Sequence, residues 1–337
     1  MTSRSRTLLV ILALCCVPPV WSQDGAVYMS VLSSRKHRIN ASNNPVVGLY
    51  VSTDRGVTWV HRGWREYIRM FYTEVGQDGA IWSACGNGVL RSTDDGATWR
   101  VTTGWDVTEV LKVHVSPADP RTVLAATAYG VIRSTDRGDH WQKVVRGFHR
   151  TFTSDLAIDR SNPKRIFVAA EEGLYESANG GDSWRPGTFP HALVNTVVQH
   201  PSRLREFWLG TEEHGIFRST DAGKRWKEAN SGLTHLTIYA LTFDPSGTDR
   251  MYVGTYGGGV FRSDDGGRNW VQKNEGLKNL DIHSLLVLPG SPEVVLCGTL
   301  NGGLYRSTDR GENWVFNSQE DAQVWGLSCS PALRSTR

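Results

Sequence analysis

Residues 49–60 read Leu49-Tyr50-Val51-Ser52-Thr53-Asp54-Arg55-Gly56-Val57-Thr58-Trp59-Val60, and six later stretches repeat the Ser, the Asp (once Asn), the Gly and the Trp. The Trp residues of the seven stretches are Trp59, Trp99, Trp141, Trp184, Trp226, Trp270 and Trp314. Successive Trp positions are separated by 40, 42, 43, 42, 44 and 44 residues. A fixed period in this range is typical of repeat architectures, so the chain is predicted to be a series of equal units.

Each repeated stretch predicts a β-hairpin. An apolar pair such as Val89-Leu90 ends one strand, and the Trp is expected to open the next. Asp accepts hydrogen bonds from turn N–H groups and Gly supplies positive φ, so the residues between the strands suit a tight turn. The turn acids, or their amide replacement, are Asp54, Asp94, Asp136, Asn179, Asp221, Asp265 and Asp309. We assign them a structural role, and we predict no metal because calcium takes about 6–8 oxygen ligands and each copy offers one carboxylate.

Two further strands precede each hairpin. Val110–Val115 and Val123–Thr127 show the pattern, with a polar turn containing proline between them. Four antiparallel strands per period form one blade of a β-propeller, so we predict an all-β, seven-bladed ring. Blade one enters with Ala26–Ser33 as its second strand, and Gln323–Pro331 at the C-terminal end matches a first strand. We therefore expect the last strand to complete blade one and close the ring, which removes open sheet ends.

The N-terminal segment predicts secretion. Arg4 and Arg6 precede the apolar run Thr7–Val17, and small Ser22 follows, as in a signal peptide. We predict a signal peptide over 1–22, a single propeller domain over 23–337, and a secreted or periplasmic protein. Lipid anchoring at Cys15 or Cys16 is the alternative, although Leu14 is bulky for that signal. The apolar run is shorter than the ~20 residues that span a bilayer.

Composition adds three expectations. A net charge of +3 is too small to indicate nucleic-acid binding. The mature chain keeps Cys85, Cys297 and Cys329, which excludes a disulfide scaffold. Buried thiols are expected, with a Cys297–Cys329 bridge as the alternative, because blades seven and one are neighbours. No cofactor is predicted, and the chain is expected to be a monomer.

The turn pattern Ser-x-Asp-x-Gly-x-Thr-Trp, intact at Ser52–Trp59 and Ser92–Trp99, resembles that of Asp-box propellers, also called bacterial neuraminidase repeat propellers. The resemblance covers about residues 26–331. Sialidases of this family use six blades and an Arg-Ile-Pro motif, which is absent here, since the nearest string is Arg38-Ile39-Asn40. Xyloglucanases place their acids between two tandem propellers, and this chain has one. A single secreted seven-bladed ring is most similar to the photosystem II assembly factor type, and this resemblance implies a binding scaffold without catalysis.

Propeller sites lie on the face formed by the blade-to-blade connections and the turns between second and third strands, which we call the loop face. The residues near the start of each innermost strand are expected to ring the channel mouth there. Aligned by their turns, they are Leu111, Ser154, Asn195, Tyr239, His283 and Trp325, with Arg69 or Tyr67 from blade two. Four of them, Asn195, Tyr239, His283 and Trp325, are suited to ligand contact. The alternative is a water-filled mouth lined by satisfied polar groups.

Charged clusters of both signs are predicted on the same face. The basic cluster comprises Arg35, Lys36, His37 and Arg38, with Arg62 and Arg65 in the next connection. The acidic cluster comprises Glu171, Glu172, Glu212, Glu213 and His214, in corresponding turns of blades four and five. Separated charges of opposite sign favour steering of a protein partner. Ordinary solvated loops are the alternative for either cluster alone.

The acidic cluster also supplies the only acids expected to cluster on this face. Glu171, Glu172, Glu212 and Glu213 could provide the paired carboxylates of a glycoside hydrolase, or those of a lyase, acting on a polysaccharide. The chain contains no Gly-x-Ser-x-Gly, His-Glu-x-x-His or phosphate-binding glycine motif. The leading hypothesis is a non-catalytic scaffold for a protein partner. A glycan-processing enzyme is the competing hypothesis.

Overall fold

The structure is a computed structural model that describes residues 25–34, 47–63, 68–191 and 193–330. In chain order its strands are β1 (Val27–Ser34), β2 (Gly48–Ser52), β3 (Val60–His61), β4 (Met70–Val75), β5 (Ile81–Cys85), β6 (Gly88–Ser92), β7 (Arg100–Val101), β8 (Val110–Val115), β9 (Val123–Thr127), β10 (Gly130–Ser134), β11 (Gln142–Lys143), β12 (Thr153–Ile158), β13 (Ile166–Ala170), β14 (Gly173–Ser177), β15 (Arg185–Pro186), β16 (Val194–Gln199), β17 (Phe207–Thr211), β18 (Ile216–Ser219), β19 (Lys227–Glu228), β20 (Ile238–Phe243), β21 (Met251–Thr255), β22 (Gly259–Ser263), β23 (Val271–Gln272), β24 (Ile282–Val287), β25 (Val295–Thr299), β26 (Leu304–Ser307), β27 (Val315–Ser318) and β28 (Ala322–Cys329).

The strands form seven four-stranded antiparallel sheets, which are the seven blades. Blade two contains β4–β7, blade three β8–β11, blade four β12–β15, and the later blades follow in the same order through β27. Blade one has the order β28-β1-β2-β3, with Met29 opposite Leu327 and Val27 opposite Cys329. The predicted all-β seven-bladed fold and its closure by the last strand are therefore confirmed.

Burial is greatest in the second strand of each blade; the innermost strands, which face the channel, are partly exposed, and the outermost strands are the most exposed. Every residue of the second strand β9 is buried, as is every residue of its counterparts β13 and β17. The fourth strands β11, β15 and β19 are two residues long and exposed. Apolar side chains of neighbouring sheets form the core between blades, as where Phe167 of blade four meets Phe207 of blade five at 4.9 Å between ring centroids. The core therefore lies between neighbouring sheets, and the innermost strand of each sheet faces the central channel.

The hairpin turns satisfy their own polar groups. The Ser52 hydroxyl donates to Asp54 Oδ1 at 2.7 Å and accepts from the Gly56 N–H at 2.8 Å. The Thr58 N–H donates to the same carboxylate at 2.9 Å. Asn179 uses its amide oxygen in the same way, accepting from Ser177 at 2.8 Å. These side chains are occupied in forming turns, which leaves them little capacity to bind a ligand.

The Trp of each repeat does not open the outer strand, as the sequence suggested, but precedes it by one residue. Its indole instead reaches back to the preceding blade. Trp184 Nε1 donates to the Val144 carbonyl at 2.8 Å, and Trp59 Nε1 donates to Asn317 Oδ1 at 2.8 Å. The second bond joins blade one to blade seven, so the repeat Trp links blades as well as filling space.

The three described cysteines are free thiols, so the Cys297–Cys329 bridge is absent. Cys297 is buried, and Cys329 is partly exposed at the end of β28. Burial raises the pKa of Cys329 to about 11, so its thiol stays protonated at neutral pH. Within the described ranges, no helix has the length and apolar character needed to cross a bilayer.

The candidate binding face and the central channel

Every innermost strand carries a β-bulge near its first residue. In β8, Val110 pairs with Thr127 and Lys112 with Ala126, which leaves Leu111 as the extra residue. The same register shift recurs in all seven blades. The extra residues are Phe71, Leu111, Ser154, Asn195, Tyr239, His283 and Trp325. A bulge redirects a side chain and is common next to functional sites, so these residues form a defined ring at the loop-face end.

The blade-two member of this ring is Phe71, which corrects the sequence alignment. Arg69 precedes β4 and pairs with Glu109 at 2.8 Å between Nη2 and Oε1. Tyr67, the other candidate, lies outside the described residues. The register of β4 is set by Met70 opposite Cys85, a pairing that no local sequence signal reveals.

Large rings crowd one half of the channel mouth. Tyr239 and His283 stack at 4.9 Å with 12° between their planes, and His283 meets Trp325 at 4.0 Å. Trp325 in turn contacts Phe71 edge-on at 5.3 Å. Burial, together with the charge of Lys112, lowers the pKa of His283 to about 4, so this imidazole is neutral at pH 7. We call Tyr239, His283, Trp325 and Phe71 the aromatic arc. They belong to blades six, seven, one and two, respectively.

Non-aromatic side chains, less bulky than those of the arc, occupy the other half of the ring. Leu111, Ser154 and Asn195 come from blades three, four and five. Ser154 Oγ donates to the Val194 carbonyl at 3.0 Å, and Asn195 Nδ2 donates to the Ile238 carbonyl at 3.2 Å. The channel entrance is therefore displaced towards blades three to five.

Below the ring lies a cavity of about 480 Å³ lined by the innermost strands of all seven blades. A polar network crosses it. His114 Nδ1 lies 2.7 Å from Glu74 Oε2, and His114 Nε2 lies 3.5 Å from Asp155 Oδ1. The Thr196 hydroxyl donates to Asp155 Oδ2 at 2.8 Å. Four consecutive blades thus contribute one residue each to this channel network of Glu74, His114, Asp155 and Thr196.

The central histidine of this network is protonated at neutral pH. Burial alone would lower the pKa of His114, but the carboxylates of Glu74 and Asp155 outweigh it and raise the pKa to about 9. Sequence analysis did not identify this network, because its members are about 40 residues apart and no motif joins them. No cluster of three metal-ligating side chains occurs in the described part of the chain.

Lys112 projects into the same cavity from blade three. Its ammonium nitrogen lies 4.0 Å from the centroid of the Tyr72 ring. Its charge also lowers the pKa of His283 across the channel and favours the ionised form of Asp155. The ammonium therefore lies within electrostatic range of residues from blades two, four and seven, near the channel axis.

The predicted basic cluster lies mostly outside the described residues, which include none of Arg35, Lys36, His37, Arg38 and Arg65. Arg62 is described and half-buried, next to the Gly96 turn of blade two. Its carbonyl accepts the Trp99 indole N–H at 2.9 Å, which fixes its backbone against blade two.

The four glutamates lie in the turns between second and third strands of blades four and five. Arg150 pairs with Glu171 at 3.1 Å and approaches Glu172 at 3.7 Å. The Tyr175 hydroxyl donates to Glu172 at 2.6 Å and lowers the pKa of that carboxyl. None of these glutamates lines the channel cavity. Glu212 lies near enough to Tyr239 to raise the pKa of that phenol, together with burial.

Sequence analysis also missed a group of exposed apolar side chains on the loop face. Trp105 is 95% exposed in the connection between blades two and three. Tyr129, in a turn of blade three, is 54% exposed, and Phe152, in the next connection, is 43% exposed. They lie beside the non-aromatic half of the mouth. The sequence signal was an aromatic residue in a polar loop, as in Gly104-Trp105-Asp106, which alone does not distinguish exposure from packing.

Comparison with known proteins supports the fold alone. No protein-family model and no protein of curated function matches the chain. A GH74 enzyme from Niastella koreensis superposes with a TM-score of 0.67 and 16% identity, covering 91% of this chain and 54% of that one. The GH74 xyloglucanase from Xanthomonas campestris gives 0.62 and 19%, covering 91% and 55%. The chain thus spans about half the length of these enzymes.

A third similar structure is a protein of comparable size. YCF48 bound to a D1 peptide superposes with a TM-score of 0.59 and 17% identity. The match covers 81% of this chain and 85% of that one. At this identity the similarity shows the architecture alone, and the match extends over most of both chains.

Proposed function

We propose that the chain is a secreted or periplasmic propeller of the Asp-box type that binds a protein partner through its loop face and carries out no catalysis. The observation that carries the proposal is the exposed group Trp105, Tyr129 and Phe152. Exposed aromatic side chains are typical anchors of protein interfaces, where Trp and Tyr are enriched among the residues that dominate binding energy.

The charged loops support the same proposal. Glu213 is exposed in a turn of blade five, and Arg150, Glu171 and Glu172 form an exposed ion-pair group beside Phe152. The basic residues Arg35, Lys36, Arg38, Arg62 and Arg65 are proposed to steer the partner from the other side. Charge of both signs around an apolar centre matches the usual anatomy of an interface, with an apolar core and a polar rim.

The competing hydrolase hypothesis requires a carboxylic acid that remains protonated near neutral pH. The hydrogen bond from Tyr175 moves the pKa of Glu172 in the opposite direction. Glu171 forms an ion pair with Arg150 at 3.1 Å. This direction makes Glu172 unsuited to general acid catalysis, which supports the scaffold proposal over a hydrolase that uses this residue.

The test is partner capture from the native host, with a photo-crosslinking residue at Tyr129 to identify the bound protein. Trp105→Ala is expected to weaken the affinity of the purified partner at least tenfold, which is about 1.4 kcal/mol. Val315→Ala is the matched control, because Val315 is 68% exposed on the outer strand β27. Equal binding by both variants would contradict the proposed interface. If the wild type degraded a polysaccharide and Glu212→Gln abolished that activity, the scaffold proposal would be wrong and the protein would be an enzyme.

A further inference from the structure

We propose that the channel entrance beside blades three to five receives an aspartate or glutamate side chain of the protein partner, and that Lys112 binds its carboxylate. This inference rests on the proposed scaffold function and requires that the partner present an acidic side chain at the contact. It assigns a role to a residue that neither the hairpin repeat nor the channel network uses.

The environment of Lys112 is the first argument. The ammonium is half-buried against the face of the Tyr72 ring. Within the described residues, no carboxylate lies within ion-pair distance of it and no acceptor forms a hydrogen bond with it. A buried charge normally has a partner, and a ring face compensates only part of the lost hydration. Lys112 is therefore available for an anionic group.

The charge of the cavity wall is the second argument. Its described ionised groups are Lys112, His114 and Arg160, which are cations, and Glu74 and Asp155, which are carboxylates. Three cations face two carboxylates, so the wall has one excess positive charge. His283, Tyr72 and Cys329 are neutral at pH 7. One entering carboxylate would neutralise the channel, whereas a cation would meet repulsion from Lys112.

The existing carboxylates cannot take the place of the ligand. Asp155 accepts from Thr196 at 2.8 Å, from the Leu156 N–H at 2.9 Å and from the Val197 N–H at 3.3 Å, and it also faces His114. Glu74 accepts from the Val115 N–H at 2.8 Å as well as binding His114. Both acids are held by their strands, so neither is free to turn towards the ammonium.

Access is the third argument. Lys112 follows the bulge residue Leu111 directly, on the half of the ring where the side chains are not aromatic. The exposed Trp105 and Tyr129 flank the strand that carries it, since they lie in the connection before β8 and the turn after β9. A partner segment that packs on these rings would place a neighbouring acidic side chain at the entrance.

The experiment uses the whole protein and two probe peptides, acetyl-Gly-Phe-Glu-Phe-Gly-amide and its Gln counterpart, in calorimetric titrations at low ionic strength. The Glu peptide is expected to bind at least tenfold more tightly than the Gln peptide. Lys112→Met, which keeps the apolar stem over Tyr72, is expected to remove that difference, and Lys112→Arg is expected to retain it. Lys143→Met, on the exposed outer strand β11, is the control and should behave as the wild type.

Equal affinity for the two peptides, or an unchanged preference in Lys112→Met, would overturn the inference. Acetate binding as tightly as the Glu peptide would also overturn it, since the site would then serve small free carboxylates.

Partner capture separates this inference from the scaffold proposal. If capture depends on Trp105 but not on Lys112, the carboxylate site fails and the scaffold stands. If the peptides bind as expected and no partner is captured, the scaffold proposal fails. An unfolding temperature equal to that of the wild type shows that each variant is folded.

Discussion

At the scale of single residues, a hairpin-turn glycine can meet two demands at once. Gly267 has a φ of +78°, and a Cβ at this position would lie 2.3 Å from Trp208 of the preceding blade. The turn thus needs both the left-handed backbone and the missing side chain. Gly247 has a similar φ of +85° but open space around it, so the two requirements can be separated.

We predict that Gly267→Ala destabilises the protein considerably more than Gly247→Ala. Positive φ alone costs an alanine about 1 kcal/mol, and a clash with a buried ring adds about 2 kcal/mol. Urea denaturation of both variants measures the difference in unfolding free energy. Equal losses would show that Trp208 moves aside without cost and that only the backbone demands glycine.

At the scale of elements, the repeat Trp residues differ in one respect that the sequence does not show. Trp184 donates its indole N–H to the Val144 carbonyl of blade three at 2.8 Å. Trp226, in the equivalent position of blade five, has an indole N–H that finds no acceptor among the described residues. The two residues therefore form a natural comparison between packing with a hydrogen bond and packing without one.

We predict that Trp184→Phe lowers the unfolding free energy by about 1 kcal/mol more than Trp226→Phe. Both changes remove similar ring area, but only the first breaks a hydrogen bond. Thermal and urea unfolding of the two variants provide the measurement. If Trp226→Phe were the more damaging change, the hydrogen bond to the preceding blade would not be what holds neighbouring blades together.

The elements also show what sequence reasoning could reach. The repeat period predicted the number of blades correctly. Predicted strand bounds such as Val110–Val115 agree with the structure, because the hydrophobic pattern and the turn residues are local signals. The turn alignment also found the bulge residues of six blades. Phe71 was missed because the register of β4 depends on pairing with β5. The contacts of Lys112 and His114 were missed because they join strands about 40 residues apart, and only the closed ring determines which side chains face one another.

At the scale of the whole molecule, the channel network adds buried charged contacts to the apolar packing and the hydrogen bonds that join neighbouring blades. Glu74, His114, Asp155 and Thr196 belong to blades two to five. The ring is closed elsewhere by β28 in blade one and by the bond between Trp59 and Asn317. Because the network includes a titrating group, the stability of the ring is expected to depend on pH.

We predict that the protein loses stability between pH 7 and pH 9.5 as His114 releases its proton. The pKa of His114 is about 9 in the fold against 6.5 in the unfolded chain, so the folded state binds more protons in this range. The stabilisation is fully present below pH 6.5 and is lost as the pH rises through 9, with an upper limit of about 3 kcal/mol. His114→Gln is expected to be less stable than the wild type at pH 7, with a gap that narrows towards pH 9.5. The measurement is the urea unfolding free energy of both proteins at half-unit intervals. Parallel curves for the two proteins would mean that protonation of His114 does not contribute to the stability of the ring.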